Sequence, residues 1–328
     1  MEQRFVEIIQ LIKESQSKAI KAVNTELMNL YWRIGKYISA RIETSEWGQS
    51  VVKELAFFIK QQEPELKGFS DKNLWRMKQF YETYRSSERL SALTRELSWT
   101  NNVLIFSRTK TVEEKEFYLK LTIEEKYSSR ELERQINSSV FERAMIGNVK
   151  LSSLPREFEV DISKAFKDSY VFDFLNLPES YNEGDLQKGL LRQMKDFILE
   201  LGRDFLFIDQ EYKVQVGNSD FYIDLLFFHR GLQCLVAFEL KVDKFKPEHL
   251  GQLNFYLEAL DRDVKRSNEN ASIGVLLCKD KDSEVVEYAL SRSLSPTVVA
   301  EYKTQLPDKK LLQQKLHELF EQAANSDI

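Results

Sequence analysis

The stretch Asp220–Asp261, reading DFYIDLLFFHRGLQCLVAFELKVDKFKPEHLGQLNFYLEALD, decides how the second half of the chain folds. Its first apolar run, Phe221–Phe228, has the length and composition of a buried strand, although it carries a carboxylate, Asp224, in its middle. The turn His229–Gly231 leads into a second apolar run, Leu232–Leu240. The pattern therefore predicts two neighbouring strands joined by a short turn.

Three charged residues are expected to meet on this pair of strands. Residues two apart on a strand face the same side, roughly 6–7 Å apart, so Glu239 and Lys241 point together. Pairing with the preceding strand would bring Asp224 beside them. Charges set among apolar strands are costly unless they are paired or hold a metal. We interpret the three residues as a functional site, and the alternative is a buried salt-bridge cluster without catalysis.

The order of these residues resembles that of a known nuclease superfamily. Asp224 followed by Glu239-Leu240-Lys241 is similar to the D…(D/E)xK signature of the restriction-endonuclease-like, or PD-(D/E)xK, nucleases. Gln252 and Tyr256, four apart on a helix predicted after Pro247, resemble the QxxxY element of RecB-like members. The amino-acid sequence of the stretch is more closely similar to the bacterial YhcG-type (DUF1016) family of nucleases, and this resemblance covers most of the chain.

The resemblance implies a hydrolase that cleaves DNA phosphodiester bonds as an endonuclease, with Mg²⁺ or Mn²⁺ and without a small-molecule cofactor. Such cleavage needs an activated water and relief of charge at phosphorus, and a divalent metal held by carboxylates supplies both. Asp224, Glu239 and the backbone carbonyl of Leu240 are the expected metal ligands. Lys241 would orient or deprotonate the attacking water, or stabilise the transition state.

Two helix residues are expected to assist in catalysis. Gln252 and Tyr256 would position the scissile phosphate or Lys241. The alternative for Gln252 and Tyr256 is an ordinary polar face of a helix.

Many members of the superfamily add a carboxylate from the first helix of the nuclease core. In the helix predicted before the first strand, Arg192, Asp196 and Glu200 share a face at four-residue spacing. Related sequences carry Glu where this chain has Arg192, so Glu200 is the substitute candidate for a metal ligand. Glu211 on the first strand is an alternative, and Asp220 is another, although a turn cap explains Asp220 more simply.

Two other functions stay open. One is a nucleic-acid-binding or complex-forming protein that keeps the nuclease fold but has lost efficient cleavage, which the departure at Arg192 favours. The other is a hydrolase acting on RNA or nucleotides, because carboxylates alone do not select DNA. The family resemblance also suggests a role in defence or in mobile elements, with defence-system partner proteins. The final predicted helix, Lys310–Ala324, could dock on the core or on a second subunit, as in a homodimer.

The first half of the chain has helical periodicity and contains a pattern typical of DNA-reading helices. A helix ending near Pro64 is followed by Gly68 and by Ser70, which is a good N-cap for a second helix. Two short helices joined by a Gly-containing turn suit helix-turn-helix docking in a major groove. The family resemblance likens this domain to winged-helix DNA-binding folds, and the alternative is a solvated helix face. The candidate DNA-binding residues of the second helix are Lys72, Asn73, Arg76 and Gln79.

The predicted organisation is two domains with a connection. Residues 1–146 form an all-α, winged-helix-like domain, residues 147–180 connect, and residues 181–328 form an α/β restriction-endonuclease-like domain with an α-β-β-β-α-β core. The connection includes an aromatic and apolar segment, Phe166–Leu177, which a flexible linker would not contain. We therefore expect this segment to pack onto one or both domains.

Length and composition limit the classes of protein to which the chain can belong. A chain of 328 residues with 42% apolar and 30% charged residues is long enough for two cores. The net charge of −5 argues against a generally basic nucleic-acid coat protein, but it leaves room for a local basic patch. The N-terminus lacks the pattern of a signal peptide, and no apolar stretch approaches the ~20 residues of a membrane span. Cys234 and Cys278 both fall in strand-like apolar runs, which indicates buried thiols and a cytoplasmic protein without membrane partners.

Overall fold

The computed structural model describes residues 2–44, 49–147, 149, 152, 165–291, 293 and 295–326. The chain divides into two compact units, Met1–Ile136 and Asn137–Ile328. No helix in the described part of the chain combines the length and the apolar character needed to cross a bilayer.

The first unit is helical. Its helices are α1 (Glu2–Glu43), α2 (Gln49–Gln62), α3 (Asp71–Tyr84), α4 (Glu88–Thr94), α5 (Trp99–Arg108), α6 (Val112–Glu125) and α7 (Ser129–Asn137). One cluster of buried side chains joins α1, α2 and α3, and consists of Met28, Tyr31, Ile38, Val52, Leu74 and Met77. The all-α prediction is therefore confirmed for the described residues. These residues form no β-strand, so the β-stranded wing of a winged-helix fold is not among them.

Local signals in the sequence set the position of α3. The side chain of Ser70 accepts a hydrogen bond from the backbone N–H of Asn73 at 3.3 Å, which confirms the predicted N-cap. Gly68 takes φ 96° in the preceding turn, a conformation that side chains rarely allow. Gly35 lets α1 and α3 approach closely, because a Cβ atom there would lie 2.1 Å from the carbonyl oxygen of Met77.

The second unit is an α/β domain built on one mixed sheet. Its strands are β1 (Ser169–Val171), β2 (Phe205–Val216), β3 (Ser219–His229), β4 (Cys234–Leu240), β5 (Ile273–Cys278) and β6 (Thr297–Lys303). Its α-helices are α8 (Val140–Ile146), α9 (Glu183–Arg192), α10 (Met194–Leu201), α11 (His249–Ala259), α12 (Ser283–Leu290) and α13 (Lys309–Ser326). A 3₁₀ turn covers Asp173–Leu175, and α11 continues as a π-helical turn, Leu260–Val264.

The strand order is β1-β6-β5-β4-β3-β2. The β2–β3 and β3–β4 pairs are antiparallel hairpins, whereas β4, β5, β6 and β1 run parallel. Parallel neighbours need a crossover connection, and α11 and α12 follow β4 and β5 in the chain to supply it. The predicted α-β-β-β-α-β order is thus confirmed.

Three features differ from the prediction or extend it. The helix expected before β2 is interrupted at Gln193, whose φ −111° and ψ 34° are not helical, so it forms α9 and α10. The connecting segment supplies a strand, β1, that pairs with β6. Phe166, Tyr170 and Phe172 are buried in the core of the second unit, which explains the apolar character of this segment. The helix α8 belongs to the second unit and not to the helical domain.

Two apolar cores sandwich the sheet. One contains Phe197 and Phe238 and includes side chains of α9 and α10, and the other contains Leu253 and Leu257 of α11. The strand β4 is buried along its whole length. Gly274 on β5 allows α11 to pack closely, since a Cβ atom there would meet the side chain of Leu253 at 2.8 Å. The carboxyl end of β4 is therefore held between helices from both layers.

Candidate active site

Strand pairing brings Asp224 next to Glu239. Leu225 of β3 pairs with Phe238 of β4, so the next position along each strand places the two carboxylates side by side. The Oδ2 atom of Asp224 accepts a hydrogen bond of 2.8 Å from the backbone N–H of Leu240. This bond ties the carboxylate of one strand to the backbone of the other at the point where β4 ends.

Lys241 completes the predicted cluster. Its Nζ atom lies 2.9 Å from Oε1 of Glu239, two positions earlier in the chain, as period-two alternation predicts. The side chain of Lys241 is only 16% exposed and that of Glu239 only 2%. The backbone N–H of Lys241 donates to the carbonyl oxygen of Leu277 on β5, which fixes the chain beyond β4. The structure therefore brings Asp224, Glu239 and Lys241 together.

The two carboxylates are destabilised in their charged form. Burial raises the pKa of Glu239 to about 7, and the neighbouring charge of Asp224 contributes to this shift. Burial also raises the pKa of Asp224, although the N–H of Leu240 and the charge of Lys241 oppose the change. Burial lowers the pKa of Lys241, but the hydrogen bond to Glu239 and the carboxylate charges outweigh it, so the net pKa is raised. Lys241 is accordingly protonated at neutral pH.

The cluster has a free ligand atom for a cation. Oε2 of Glu239 is buried and has no hydrogen-bond partner in the described structure. A buried oxygen left without a donor is costly, and a cation bound between Glu239 and Asp224 would relieve both this cost and their repulsion. Within the described residues, no set of three or more His, Cys, Asp or Glu side chains is placed to hold a metal. Two carboxylates nevertheless suit Mg²⁺, which keeps several waters in its shell.

Gln252 and Tyr256 lie on α11 near this cluster. The Nε2 atom of Gln252 donates a 2.7 Å hydrogen bond to the hydroxyl of Tyr256. Tyr256 is buried whereas Gln252 is exposed, so the pair joins the core to the surface. Burial raises the pKa of Tyr256, and the charges of Glu239 and Asp224 add to the shift, whereas the hydrogen bond from Gln252 and the charge of Lys241 oppose it.

Glu183 is an acidic residue of this region that sequence reasoning missed. It is the first residue of α9, and its Oε1 atom lies 3.4 Å from Nζ of Lys241. Its charge raises the pKa of both Asp224 and Glu239. In the sequence Glu183 follows the N-cap Asn182, a position where acidic residues are common for reasons of helix capping. Helix capping by itself explains an acidic residue at this position, so the sequence gives no sign of the contact with Lys241.

Gln187 ties α9 to the strand that carries Asp224. Its Nε2 atom donates to the backbone carbonyl oxygen of Asp224 at 3.0 Å. Gln187 follows Glu183 by four residues, so the two side chains share a helix face. The same hydrogen bond therefore holds Asp224 and the helix bearing Glu183 at a fixed separation.

The structure corrects the assignment of Glu200 as a metal ligand. Glu200 is fully buried, and its Oε1 atom lies 3.2 Å from Nη1 of Arg143 and 3.0 Å from the backbone N of Val171 on β1. β1 is three strands away from β4, which at the usual spacing is roughly 14 Å. The interruption at Gln193 also removes the continuous face expected for Arg192 and Glu200. Glu200 is instead part of a buried ion pair.

The two alternative carboxylates differ in position. Glu211 lies between Gln210 and Tyr212, which pair with Leu225 and Ile223, and so it stands opposite Asp224. Its charge contributes to the raised pKa of Asp224, and its backbone has φ 46°.

Asp220 forms a different contact. Its carboxylate makes a 2.8 Å ion pair with Lys213 across the β2–β3 hairpin. That pair accounts for Asp220 without a role in metal binding.

The four candidate DNA-binding residues of α3 separate into two kinds. Lys72, Arg76 and Gln79 are exposed. Asn73 accepts a hydrogen bond of 2.9 Å from the indole Nε1 of Trp99 and donates to the carbonyl oxygen of Gly68. Asn73 therefore braces the turn before α3.

Comparison with solved structures gives only partial overlap. A repair endonuclease from Pyrococcus abyssi is 16% identical, and the match covers 40% of this chain and 50% of that chain at a TM-score of 0.27. The EndoMS–dsDNA2 complex is also 16% identical, with 41% and 49% covered and a TM-score of 0.26. These TM-scores are too low to establish a common fold.

Comparison with protein families identifies the family of this chain. Residues 163–317 match the model of the YhcG PDDEXK nuclease domain, and residues 7–143 match the DUF1016 N-terminal domain. The protein named "Putative nuclease YhcG" in Escherichia coli (strain K12) is 31% identical over 347 aligned positions, covering 94% of this chain and 92% of that protein. The chain therefore belongs to the YhcG family, with a DUF1016 N-terminal domain and a C-terminal PDDEXK nuclease domain.

Proposed function

We propose that the protein is a divalent-metal-dependent endonuclease that hydrolyses phosphodiester bonds of DNA. The observation that carries the proposal is the buried carboxylate of Glu239, whose Oε2 atom lacks a partner in the described structure while Asp224 and Lys241 lie beside it. Most buried carboxylate oxygens have a hydrogen-bond partner, and this unpartnered oxygen lies beside a second carboxylate, that of Asp224. An oxygen left without a donor favours a cation site.

Asp224 and Glu239 would hold the metal, with the carbonyl of Leu240 as a third ligand. The bound metal would supply Lewis acidity, lowering the pKa of a bound water and offsetting charge on the phosphate. The hydrogen bond from the Leu240 N–H keeps the Asp224 carboxylate at the end of β4. Mg²⁺ or Mn²⁺ fits this donor set because both ions favour oxygen ligands.

Lys241 would act on the attacking water or on the phosphate. In the metal-free protein the neighbouring carboxylates raise the pKa of Lys241, and its Nζ atom lies at hydrogen-bond distance from Glu239. A protonated ammonium at this place would donate to the attacking water or stabilise the negative charge that develops on the phosphate. Gln252 and Tyr256 would direct their linked amide and hydroxyl groups towards the same phosphate.

Glu183 is the carboxylate that we propose in place of Glu200. It reaches the cluster from the first helix of the nuclease core, through Lys241. At 47% exposure its side chain can turn between Lys241 and the water shell of a metal.

The helical unit would grip DNA through α3. One side of α3 exposes Lys72, Arg76 and Gln79 to solvent. The opposite side carries Leu74 and Met77, which are buried. Lys and Arg at such positions contact phosphates, while Gln can also read base edges.

A substrate panel tests the proposal. Purified protein is incubated with plasmid, linear, branched and single-stranded DNA and with RNA, in Mg²⁺, in Mn²⁺ or in EDTA. We expect cutting of DNA that requires the metal and is abolished by Asp224→Asn. The matched control is Asp220→Asn on the same strand, which should cut normally because Asp220 pairs with Lys213 at the hairpin.

The panel also separates the alternatives. Preferential cutting of RNA would replace DNA as the substrate. Salt-sensitive retention of DNA without cutting of any substrate would favour a binding protein that keeps the nuclease fold.

A further inference from the structure

His249, the first residue of α11, lies on the same face of this helix as Gln252 and Tyr256. At 3.6 residues per turn, the three positions fall within an arc of about 60°. The imidazole of His249 is partly buried. It is therefore a third polar group on the helix face whose other two members are expected to meet the substrate.

The start of α11 lies at the edge of the sheet where β4 ends. The backbone N–H of Phe245, in the loop between β4 and α11, donates a 2.8 Å hydrogen bond to the carbonyl oxygen of Asp280, just beyond β5. Further along α11, Leu253 packs over Gly274 near the start of β5. Because β4 and β5 run parallel, the helix runs back along the sheet from the edge that carries the carboxylates. His249 stands at that edge.

Two contacts fix the imidazole ring of His249. Its Nδ1 atom accepts a hydrogen bond of 3.3 Å from the backbone N–H of Lys246. The ring also makes a T-shaped contact with the ring of Phe245, which is buried, at 6.3 Å between centroids. Because Nδ1 is the acceptor, the proton of the neutral ring is on Nε2. That N–H is a donor, and it makes no hydrogen bond to the described residues.

The surroundings keep this ring uncharged. Burial lowers the pKa of His249, and the charges of Lys241 and Lys246 lower it further. The charges of Glu248 and Glu183 oppose the change without outweighing it. At neutral pH the imidazole is therefore a neutral donor, and an oxygen of a phosphate is an acceptor that suits it.

We propose that His249 is a further substrate-binding residue, which donates from Nε2 to a non-bridging oxygen of a DNA backbone phosphate at the nuclease site. The inference rests on the proposed endonuclease function, which supplies the substrate. With Gln252 and Tyr256, His249 would form a row of polar groups about 10 Å long at 1.5 Å per residue. Such contacts hold a strand in register and carry no base sequence information.

Two substitutions separate donation to phosphate from support of the loop before α11. His249→Gln places an amide nitrogen near the position of Nε2 and can still donate, whereas His249→Asn places its oxygen near the position of Nδ1 and can still accept from Lys246. We expect His249→Ala and His249→Asn to weaken DNA binding about two- to tenfold, as for loss of one hydrogen bond. His249→Gln should restore the affinity. Recovery by Asn and not by Gln would overturn the proposal, because it would assign His249 to the loop alone.

DNA binding is measured in EDTA, where metal-dependent cutting is absent, with a short duplex and at several salt concentrations. Glu258→Ala is the control, because Glu258 is exposed on the opposite side of α11 from His249 and should leave the Kd unchanged. A neutral donor displaces no counterion, so His249→Ala should keep the wild-type slope of log Kd against log salt. A slope reduced by about one would indicate a charged histidine and would overturn the proposal.

The ring nitrogens give a direct signal, since the chain has only three histidines. In ¹H–¹⁵N spectra of the free protein, His249 should be the Nε2–H tautomer, and saturation with the duplex in EDTA should shift its Nε2 resonance. The signal of His229, which is buried, should not move. An unshifted His249 would overturn the proposal.

Cleavage in Mg²⁺ separates this inference from the proposed function. His249→Ala should raise KM with kcat little changed, because the contact exists before the reaction. Wild-type cleavage with unaltered KM and kcat in His249→Ala would remove His249 alone. A wild type that cuts nothing, but whose His249 resonance shifts with DNA, would refute the endonuclease function and support the phosphate contact.

Discussion

The Nζ atom of Lys241 lies 2.9 Å from Oε1 of Glu239, and both side chains are withdrawn from solvent at the end of β4. The other oxygen of Glu239 has no partner in the described structure. Lys241 therefore neutralises only part of a carboxylate pair whose second member is Asp224. As a structural ion pair, the cluster would leave a buried carboxylate oxygen of Glu239 without a hydrogen bond. That unsatisfied oxygen is the physical reason to assign the cluster a function.

Replacing Lys241 should abolish cleavage without unfolding the domain. In Lys241→Met the apolar stem is kept and the charge is lost, so we expect the rate of DNA cleavage to fall by about 10²–10³, as for other donors to a transition state. Lys303→Met is the control, because Lys303 is an exposed lysine at the end of β6 that pairs with Glu301. Single-turnover cleavage and a Tm on each variant provide the measurement. Wild-type rates in Lys241→Met would remove Lys241 from the mechanism.

The stability of the metal-free protein should depend on the protonation of Glu239. Its pKa is about 7 in the folded chain against 4.5 as the reference value, so this residue's contribution to folding is fully present below pH 4.5 and is lost as pH rises through about 7. The loss is at most about 3 kcal/mol. Glu239→Gln should therefore gain stability relative to wild type as pH rises through this window.

Denaturant unfolding in EDTA between pH 4 and 8, about the range over which a carboxylate of this pKa titrates, measures the difference. Glu258→Gln, an exposed glutamate on α11, should show no such trend. Added Mg²⁺ should stabilise the wild type more at the alkaline end, because metal and protons compete for the same oxygen. A flat difference between Glu239→Gln and wild type would mean that Glu239 titrates normally.

Glu200 should matter for stability and not for metal binding. Glu200→Gln leaves Arg143 without its buried counter-charge, and loss of one partner of a buried pair costs about 3–5 kcal/mol. Mg²⁺ affinity, measured by titration calorimetry on the folded fraction, should stay unchanged. Glu183→Gln should give the opposite pattern of a weakened Mg²⁺ affinity with unfolding unaltered, since Glu183 is half exposed beside Lys241. Reversal of the two patterns would restore Glu200 as the ligand.

Substitutions of Arg76 and Asn73 should have different effects, the first on DNA binding and the second on the stability of the helical unit. Arg76→Ala should weaken DNA retention at low salt and reduce its salt dependence by about one ion, because each Arg–phosphate contact releases about one counterion. Its Tm should not change, since Arg76 is exposed. Asn73→Ala should lower the Tm by removing the contact to Trp99. Shift assays at several salt concentrations, with thermal unfolding of both variants, check the pair.

Strand periodicity was sufficient to predict that Asp224, Glu239 and Lys241 meet on β3 and β4. Glu239 and Lys241 share a side because they are two apart, and the short turn before β4 makes β3 its antiparallel neighbour. The order of helices and strands followed from apolar runs and from Gly and Pro positions in the same way. Boundaries were less well predicted. The short strand β1, only Ser169–Val171, has no period of its own and forms because β6 offers it an edge.

Amino-acid sequence by itself determined that Asp224, Glu239 and Lys241 meet on two neighbouring strands, because alternation along a strand and a short turn are local properties. Only the tertiary structure decided which further carboxylate joins them. Glu200 has the helical spacing but lies beside β1 with Arg143, whereas Glu183 has the local signature of a helix cap but reaches Lys241. The physical reason is that proximity between α9 and β4 depends on how the helices pack across the sheet, and no short-range pattern encodes that distance.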